Sequence, residues 1–170
     1  MSLSMYQASI PVFIRGLENL SHILDKGEAH AEAKKIDPNV FITARLYPDM
    51  FALARQVQIA SDTAKGAAAR LAGIDNPSFA DTEATFPELR QRIVKTIAFL
   101  NSVRSEQIDG SEDKPVVLST RSRGDIHFRG QDYLLQQALP NFYFHVTTAY
   151  AILRHNGVEL GKWDYYGTFN

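Results

Sequence analysis

The chain has 170 residues, of which 45% are hydrophobic, with a formal net charge of −1 and no cysteine. This size suits a single domain spanning residues 1–170, and the missing cysteines exclude disulfides, thiol nucleophiles and zinc sites with sulfur ligands. The balanced charge argues against nucleic-acid binding, and neither a signal peptide nor a membrane-spanning apolar run is visible, so we expect a cytoplasmic protein.

The first predicted helix has one apolar stripe. Ser4 and Gln7 form a candidate capping box before it. Pro11 predicts either a kink or a helix that begins only near Ser9, and Gly27 is the expected end. Apolar residues recur every three or four positions, as on one face of a helix: Tyr6, Ile10, Phe13, Leu17, Leu20 and Leu24.

A second long helix is expected after an irregular link from about Glu28 to Pro48. Within the link, Asp37-Pro38 favours the start of a short helix. The long helix should start at Pro48-Asp49 and continue to Gly73. Its later turns consist mainly of small residues, which predicts that a neighbouring helix approaches closely there.

The third helix and a hairpin are predicted from local signals. Residues 73–84 are expected to form a loop, and Thr85-Phe86-Pro87-Glu88 is typical of a capped helix start. The helical pattern continues to Val103. Between Lys114 and Arg129 the apolar period changes to two, with a turn at residues 121–124, which indicates a β-hairpin. A lone hairpin is marginally stable, so it should pack on the helices.

The fourth helix is expected from about Gln131 to Asn156, with Gly157 as its left-handed cap. Pro140 should kink it. The aromatic tail at residues 163–166 should pack on its own bundle or on a second subunit. Together the elements predict an all-α, four-helix bundle with a short β-hairpin between helices 3 and 4. The predicted interior stripe of the fourth helix comprises Leu135, Ala138, Phe142, His145, Ala149 and Ile152.

His145 is the first candidate site residue, because its position in that stripe directs it to the bundle interior, where helical bundles hold ligands and metals. Asn141 lies one turn earlier on nearly the same face. The alternative reading is a core histidine whose hydrogen bonds are satisfied by a neighbouring polar group.

Gln58 and Asp62, one turn apart on the second helix, complete the set of pocket candidates. Both flank the small-residue seam and could face the fourth helix. Asp62 could orient His145 through a carboxylate–imidazole hydrogen bond. The alternative for both residues is a solvated helix edge.

Several segments resemble one bacterial family, the uncharacterised domain-of-unknown-function nineteen-ninety-three family, usually placed with the DinB/YfiT-like proteins. The resemblance covers essentially the whole chain and implies a DinB-like four-helix bundle, often a homodimer, without an established reaction. The segments that carry it are Ser4 to Ser9, Phe51 to Asp62, Gly130 to Leu134, Leu139 to Tyr150 and Leu153-Arg154-His155-Asn156-Gly157.

The resemblance also implies where a metal would be held. The wider superfamily typically binds a divalent metal through three histidines, one on the second helix and two spaced by four on the last helix. Counting back from Leu153 to Gly157 places His145 at the final histidine and Asn141 at the preceding one. The second-helix histidine falls at or near Gln58. Two imidazoles are therefore replaced by amides, which are poor ligands for zinc or nickel.

Two hypotheses follow for function. The first is a metal-free DinB-like bundle that acts through a small internal pocket or as a homo-oligomeric interaction module, with no cofactor and an unknown small-molecule ligand. The alternative is a metal-dependent transferase or hydrolase, similar to the thiol transferases of the superfamily. It would use a degenerate site of His145, Asn141 and Gln58, with Asp62 as a further candidate, to activate a water or thiol.

Overall fold

Four long amphipathic helices surround the core of the computed structural model, which describes residues 3–120 and 122–168. They are α1 (Ile10–Lys34), α3 (Leu53–Ala72), α4 (Phe86–Ser102) and α7 (Leu139–His155). Helix α1 packs against α4 and α7, and α3 packs against the same two helices. The fold is therefore mostly helical, with its core between these four elements.

Short elements connect the long helices. They are α2 (Pro38–Ile42), α5 (Ser105–Ile108), β1 (Pro115–Thr120), β2 (Gly124–Arg129), α6 (Gly130–Asp132), a π-helical segment (Tyr133–Ala138) and α8 (Lys162–Tyr166). Within the described ranges, no helix is long and apolar enough to cross a membrane.

Helix α1 starts where the sequence predicts, but it ends later than predicted. The helix begins at Ile10 with Pro11 in its first turn, and the Ser4 hydroxyl and Gln7 side chain cap a preceding turn. The expected end at Gly27 is wrong, because the helix continues to Lys34. A Cβ atom on Gly27 would lie 3.1 Å from both Phe86 and Leu153, so this glycine permits close packing inside the bundle.

Helix α3 starts later than Pro48-Asp49, at Leu53. The intervening residues form a turn that returns the chain to the preceding link, where the amide of Leu53 donates to the carbonyl of Ala44 at 2.9 Å. The predicted end is confirmed, since Gly73 adopts a left-handed conformation with φ of 71°. A side chain is strained in that conformation, which explains the glycine.

The capping box of α4 is confirmed. The Thr85 hydroxyl accepts from the amide of Glu88 at 3.3 Å, and the Glu88 carboxylate accepts from the amide of Thr85 at 3.0 Å. The hydrogen bonds from Ala84 and Thr85 lower the pKa of Glu88. A helix start with these reciprocal bonds satisfies two amides that have no partner within the helix.

The hairpin is antiparallel, with Val117 opposite His127. It packs on the helices as expected. Val116 is buried, and the ring of Phe128 packs against that of Tyr133, with 5.9 Å between the ring centroids. The predicted turn includes residue 121, which lies outside the described residues.

The last helix departs from its predicted stripe at Leu135, whereas Ala138 is buried as predicted. The π-helical turns change which side faces inward, so Leu134 is buried whereas Leu135 is 50% exposed. Beyond Pro140, the predicted interior residues of α7 are buried. Gly157 has φ of 91°, which agrees with the predicted left-handed cap.

The aromatic tail packs on its own chain. Helix α8 lies against α1. There the side-chain nitrogen of Asn19 donates to the backbone carbonyl of Tyr165 at 2.9 Å. Asp164 accepts from Lys26 at 3.0 Å and contacts His22 at 3.3 Å. The tail is therefore attached by polar contacts and by the ring of Tyr165, which packs against the core.

Candidate functional site

His145 lies at the interface of α3 and α7, as its position in the stripe predicts. It is 7% exposed, and its Nδ1 is 2.7 Å from Oε1 of Gln56, which is 2% exposed. The other end of this amide is fixed, because Nε2 of Gln56 donates to the carbonyl of Phe51 at 3.0 Å. The Gln56 oxygen is thus an acceptor, so Nδ1 of His145 carries the proton and Nε2 keeps its lone pair.

The electrostatic surroundings keep this imidazole neutral. Burial, together with the positive charge of Arg55, lowers the pKa of His145 from 6.5 to about 4. The ring of Phe144 packs edge-on against the imidazole, with 5.1 Å between the two ring centroids. At neutral pH the site therefore offers an uncharged hydrogen-bond acceptor beside an aromatic ring.

Asn141 is tied to the same helix pair. Its amide nitrogen donates to the hydroxyl of Thr63 at 2.8 Å. Asn141 and His145 therefore face α3 together, one turn apart, but they bind different residues of that helix.

Gln58 is buried but faces a different neighbour. Its amide nitrogen donates to Glu83 at 3.0 Å, and its oxygen accepts from Arg55 at 3.2 Å. Among the α3 residues, Gln56 rather than Gln58 contacts His145.

The predicted hydrogen bond between Asp62 and His145 is wrong. Asp62 instead pairs with Arg92 at 2.9 Å and with Lys65 at 3.1 Å. Two cations on the α4 side of α3 attract the carboxylate, whereas the imidazole is neutral and lies on the α7 side.

Arg92 is the centre of this second cluster, which the sequence did not indicate. Its side chain is 1% exposed and pairs with Asp81 at 3.0 Å and Glu83 at 3.0 Å, in addition to Asp62. It also donates to the carbonyl of Ala80. The cluster fastens the loop before α4 onto α3 and α4, and we assign it a structural role.

A metal does not fit the residues at the α3–α7 interface. The donor set consists of one imidazole and the amides of Gln56 and Asn141, and both amides are engaged within the protein. Over the described part of the chain, no three His, Cys, Asp or Glu residues are grouped as metal ligands. Amide oxygens compete poorly with imidazole nitrogens for zinc and nickel, so this donor set does not suit either metal.

A shallow groove of about 450 Å³ lies on the outer surface of α7, next to the link that precedes α3. Phe144 is 56% exposed there, and Leu46 and Tyr143 are also partly exposed. We call this surface the Phe144 groove. Its lining residues are Leu46, Met50, Tyr143, Phe144, Thr147, Thr148 and Ala151.

Comparison with known proteins shows that the chain is similar to one protein family. A family model described as a domain of unknown function (DUF1993) matches residues 5–166. A crystal structure of a DinB family member protein from Shewanella denitrificans is similar, with 43% sequence identity and a TM-score of 0.88, over 96% of this chain and 92% of that chain. No curated protein matches the chain significantly.

Proposed function

The chain belongs to the DUF1993 family. From this premise we propose that it is a metal-independent, DinB-like binding module in which His145 is the polar anchor for a ligand between α3 and α7. In this proposal the four long helices form a DinB-like bundle, with the hairpin between the third and fourth of them. The ligand is a small molecule that donates a hydrogen bond to Nε2 of His145.

The bond between His145 and Gln56 carries this proposal. It fixes the proton on Nδ1 and leaves Nε2 as an acceptor, next to the ring of Phe144. A pKa of about 4 makes the imidazole a weak base at neutral pH. General acid–base catalysis works best with a pKa near the working pH, so the site suits binding better than proton transfer.

The rival metal-dependent transferase or hydrolase has less support. It requires Gln58, Asn141 and His145 to bind the same metal ion. The side-chain amide of Gln58, however, is already hydrogen-bonded to Glu83 and Arg55. Only one basic nitrogen remains available for a metal.

Metal retention tests the proposal. Purified protein is soaked in zinc or nickel, dialysed, and measured by elemental analysis beside a His145→Ala variant. We expect wild type and variant to retain equally little. Stoichiometric retention that is lost in the variant would refute the metal-independent function.

A variant that rebuilds the triad gives the matched control. Combining Gln56→His with Asn141→His places three imidazoles on the two facing helices. We expect this double variant to retain zinc, which would show that the assay detects a functioning site. The fold of each variant is checked by circular dichroism.

A homodimer is the second candidate function, and the Phe144 groove favours it. An exposed aromatic and aliphatic surface of this kind often marks an interface. Light scattering after gel filtration should report a dimer for the wild type and a monomer for Phe144→Lys. The control Leu135→Lys, at a residue that is 50% exposed elsewhere, should remain a dimer. A monomeric wild type would exclude this candidate.

A further inference from the structure

A cleft lies between α1, α7 and α8, where the aromatic tail packs on the bundle. Its volume is about 450 Å³, which falls within the range of about 300–1,000 Å³ typical of small-molecule pockets. His145 lies outside its lining, because the imidazole is directed to Gln56 on α3. The aromatic and aliphatic lining comprises Val12, Gly16, Tyr143, Val146, Tyr165 and Tyr166.

The polar side chains that α1 contributes to the cleft are hydrogen-bonded to the tail. Arg15 donates to the carbonyl of Tyr166 from Nε at 3.3 Å and from Nη2 at 2.8 Å, and Nη2 also donates to the carbonyl of Thr168 at 3.4 Å. The side-chain nitrogen of Asn19 donates to the carbonyl of Tyr165 at 2.9 Å. These donors therefore hold the backbone of the tail against α1.

The tyrosines give the cleft an apolar, aromatic surface. The hydroxyl of Tyr165 is 3.0 Å from that of Thr147, so it already has a hydrogen-bond partner. Burial and the neighbouring Tyr165 raise the pKa of Tyr143, so this phenol is neutral at physiological pH. Among the described lining residues, none is Asp or Glu. An ionised ligand would therefore lose its hydration while the donors of Arg15 and Asn19 stay bound to the tail.

We propose that this cleft binds a flat, uncharged aromatic molecule, packed among the rings of Tyr143, Tyr165 and Tyr166. Aromatic rings stack offset or edge-on, which adds to the gain from burying apolar surface. The site goes beyond the proposed function and does not depend on His145. Tyr143 also lines the Phe144 groove, so the two surfaces adjoin and variants have to separate them.

Two probes with the same rings test the class of ligand. Phenylnaphthylamine is uncharged, whereas anilinonaphthalene sulfonate carries a negative charge, and both fluoresce more strongly in apolar surroundings. Each is titrated into the full chain by fluorescence and by isothermal calorimetry. We expect one phenylnaphthylamine per chain and roughly tenfold weaker binding of the sulfonate, because its charge would be desolvated. Equal or tighter binding of the sulfonate, or no saturable binding of phenylnaphthylamine, would overturn the proposal.

The tryptophan of α8 reports where the probe binds. The chain has one tryptophan, Trp163, and its ring centroid is 6.0 Å from that of Tyr166. A single indole N–H signal should therefore shift in NMR spectra as phenylnaphthylamine binds. An unchanged signal at saturation would place the probe away from α8 and refute the site.

A pair of valine variants tests whether the probe occupies the cleft. Val12→Phe fills the cleft and should abolish phenylnaphthylamine binding, whereas Val94→Phe, at a position that is 62% exposed on α4, should not. The milder Val12→Leu should weaken binding, and it replaces Val12→Phe if the larger side chain prevents folding. Equal affinities for the Val12 and Val94 variants would place the ligand elsewhere.

Tyrosine variants test the aromatic wall. Tyr166→Leu keeps an apolar side chain but removes the ring, and it should lower phenylnaphthylamine affinity roughly fivefold. Tyr166→Phe keeps the ring and should bind like wild type, as should Tyr47→Leu in the link before α3, where the tyrosine is 66% exposed. Equal losses in Tyr166→Leu and Tyr166→Phe would contradict recognition by the ring.

Two further variants separate this cleft from the sites already described. Phe144→Lys changes the Phe144 groove and His145→Gln removes the imidazole, and both should bind phenylnaphthylamine like wild type. A loss in Phe144→Lys would place the probe in the Phe144 groove, and a loss in His145→Gln would place it between α3 and α7. Either result would refute the cleft, whereas retained binding would support it even if the proposed function of His145 failed.

Discussion

Acid should destabilise the protein through His145. Its pKa is lowered to about 4 in the fold by burial and by Arg55, against 6.5 when exposed. The folded state therefore binds fewer protons than the unfolded state at intermediate pH. The stabilising contribution is fully present above pH 6.5 and is lost as the pH falls towards 4.

The size of the effect follows from this shift. A difference between 6.5 and about 4 corresponds to roughly 3 kcal/mol of unfolding free energy when it is fully expressed. At pH 5 about 2 kcal/mol of this would already be lost, because the unfolded imidazole is then almost fully protonated and the buried one is not. The ring is only 7% exposed, so solvent screening removes little of it.

Urea unfolding of wild type and His145→Gln at a series of pH values measures this contribution. The variant has no imidazole at this position, and subtracting its curve cancels the titration of other groups. We expect wild type to lose about 2 kcal/mol more than the variant between pH 7 and pH 5. Parallel curves, or an NMR titration midpoint of His145 near its ordinary value, would refute the reasoning about the buried neutral imidazole.

Two further substitutions probe the packing around the site. Gly16→Ala should destabilise the protein by about 1–3 kcal/mol in urea unfolding, because its Cβ would lie 2.5 Å from the ring of Phe142; the exposed Glu18→Ala on the same helix should cost less than about 0.5 kcal/mol. Arg92→Met should cost about 1–3 kcal/mol, because it removes the buried guanidinium from three carboxylates that are themselves partly exposed. It should also accelerate limited proteolysis within residues 73–85, and unchanged proteolysis would contradict the fastening role of the cluster.

Features set by neighbouring residues could be predicted from the sequence. Thr85 and Glu88 cap α4 through bonds within one turn, and Gly73 and Gly157 end helices where a left-handed conformation is required. The inward position of His145 also followed from apolar spacing, because periodicity fixes the buried face of a helix.

Features set by distant residues could not be predicted. Gly27 looks like a helix end, but its role depends on Phe86 and Leu153, which are far away in sequence. The choice of Gln56 over Gln58 depends on how α3 is rotated against α7, and spacing does not determine that rotation. The partner of Asp62 could not be predicted, because its attraction to Arg92 arises only when α3 and α4 pack together.

The π-helical segment before Pro140 changes the winding of the chain where it enters the last long helix. Proline lacks an amide hydrogen and crowds the preceding turn, and the wider π turns occupy the region just before it. The hairpin and α6 are therefore joined to α7 through a stretch with its own winding. As a result, the residues just before α7 turn a different side towards the core from the one that a continuous α-helix would present.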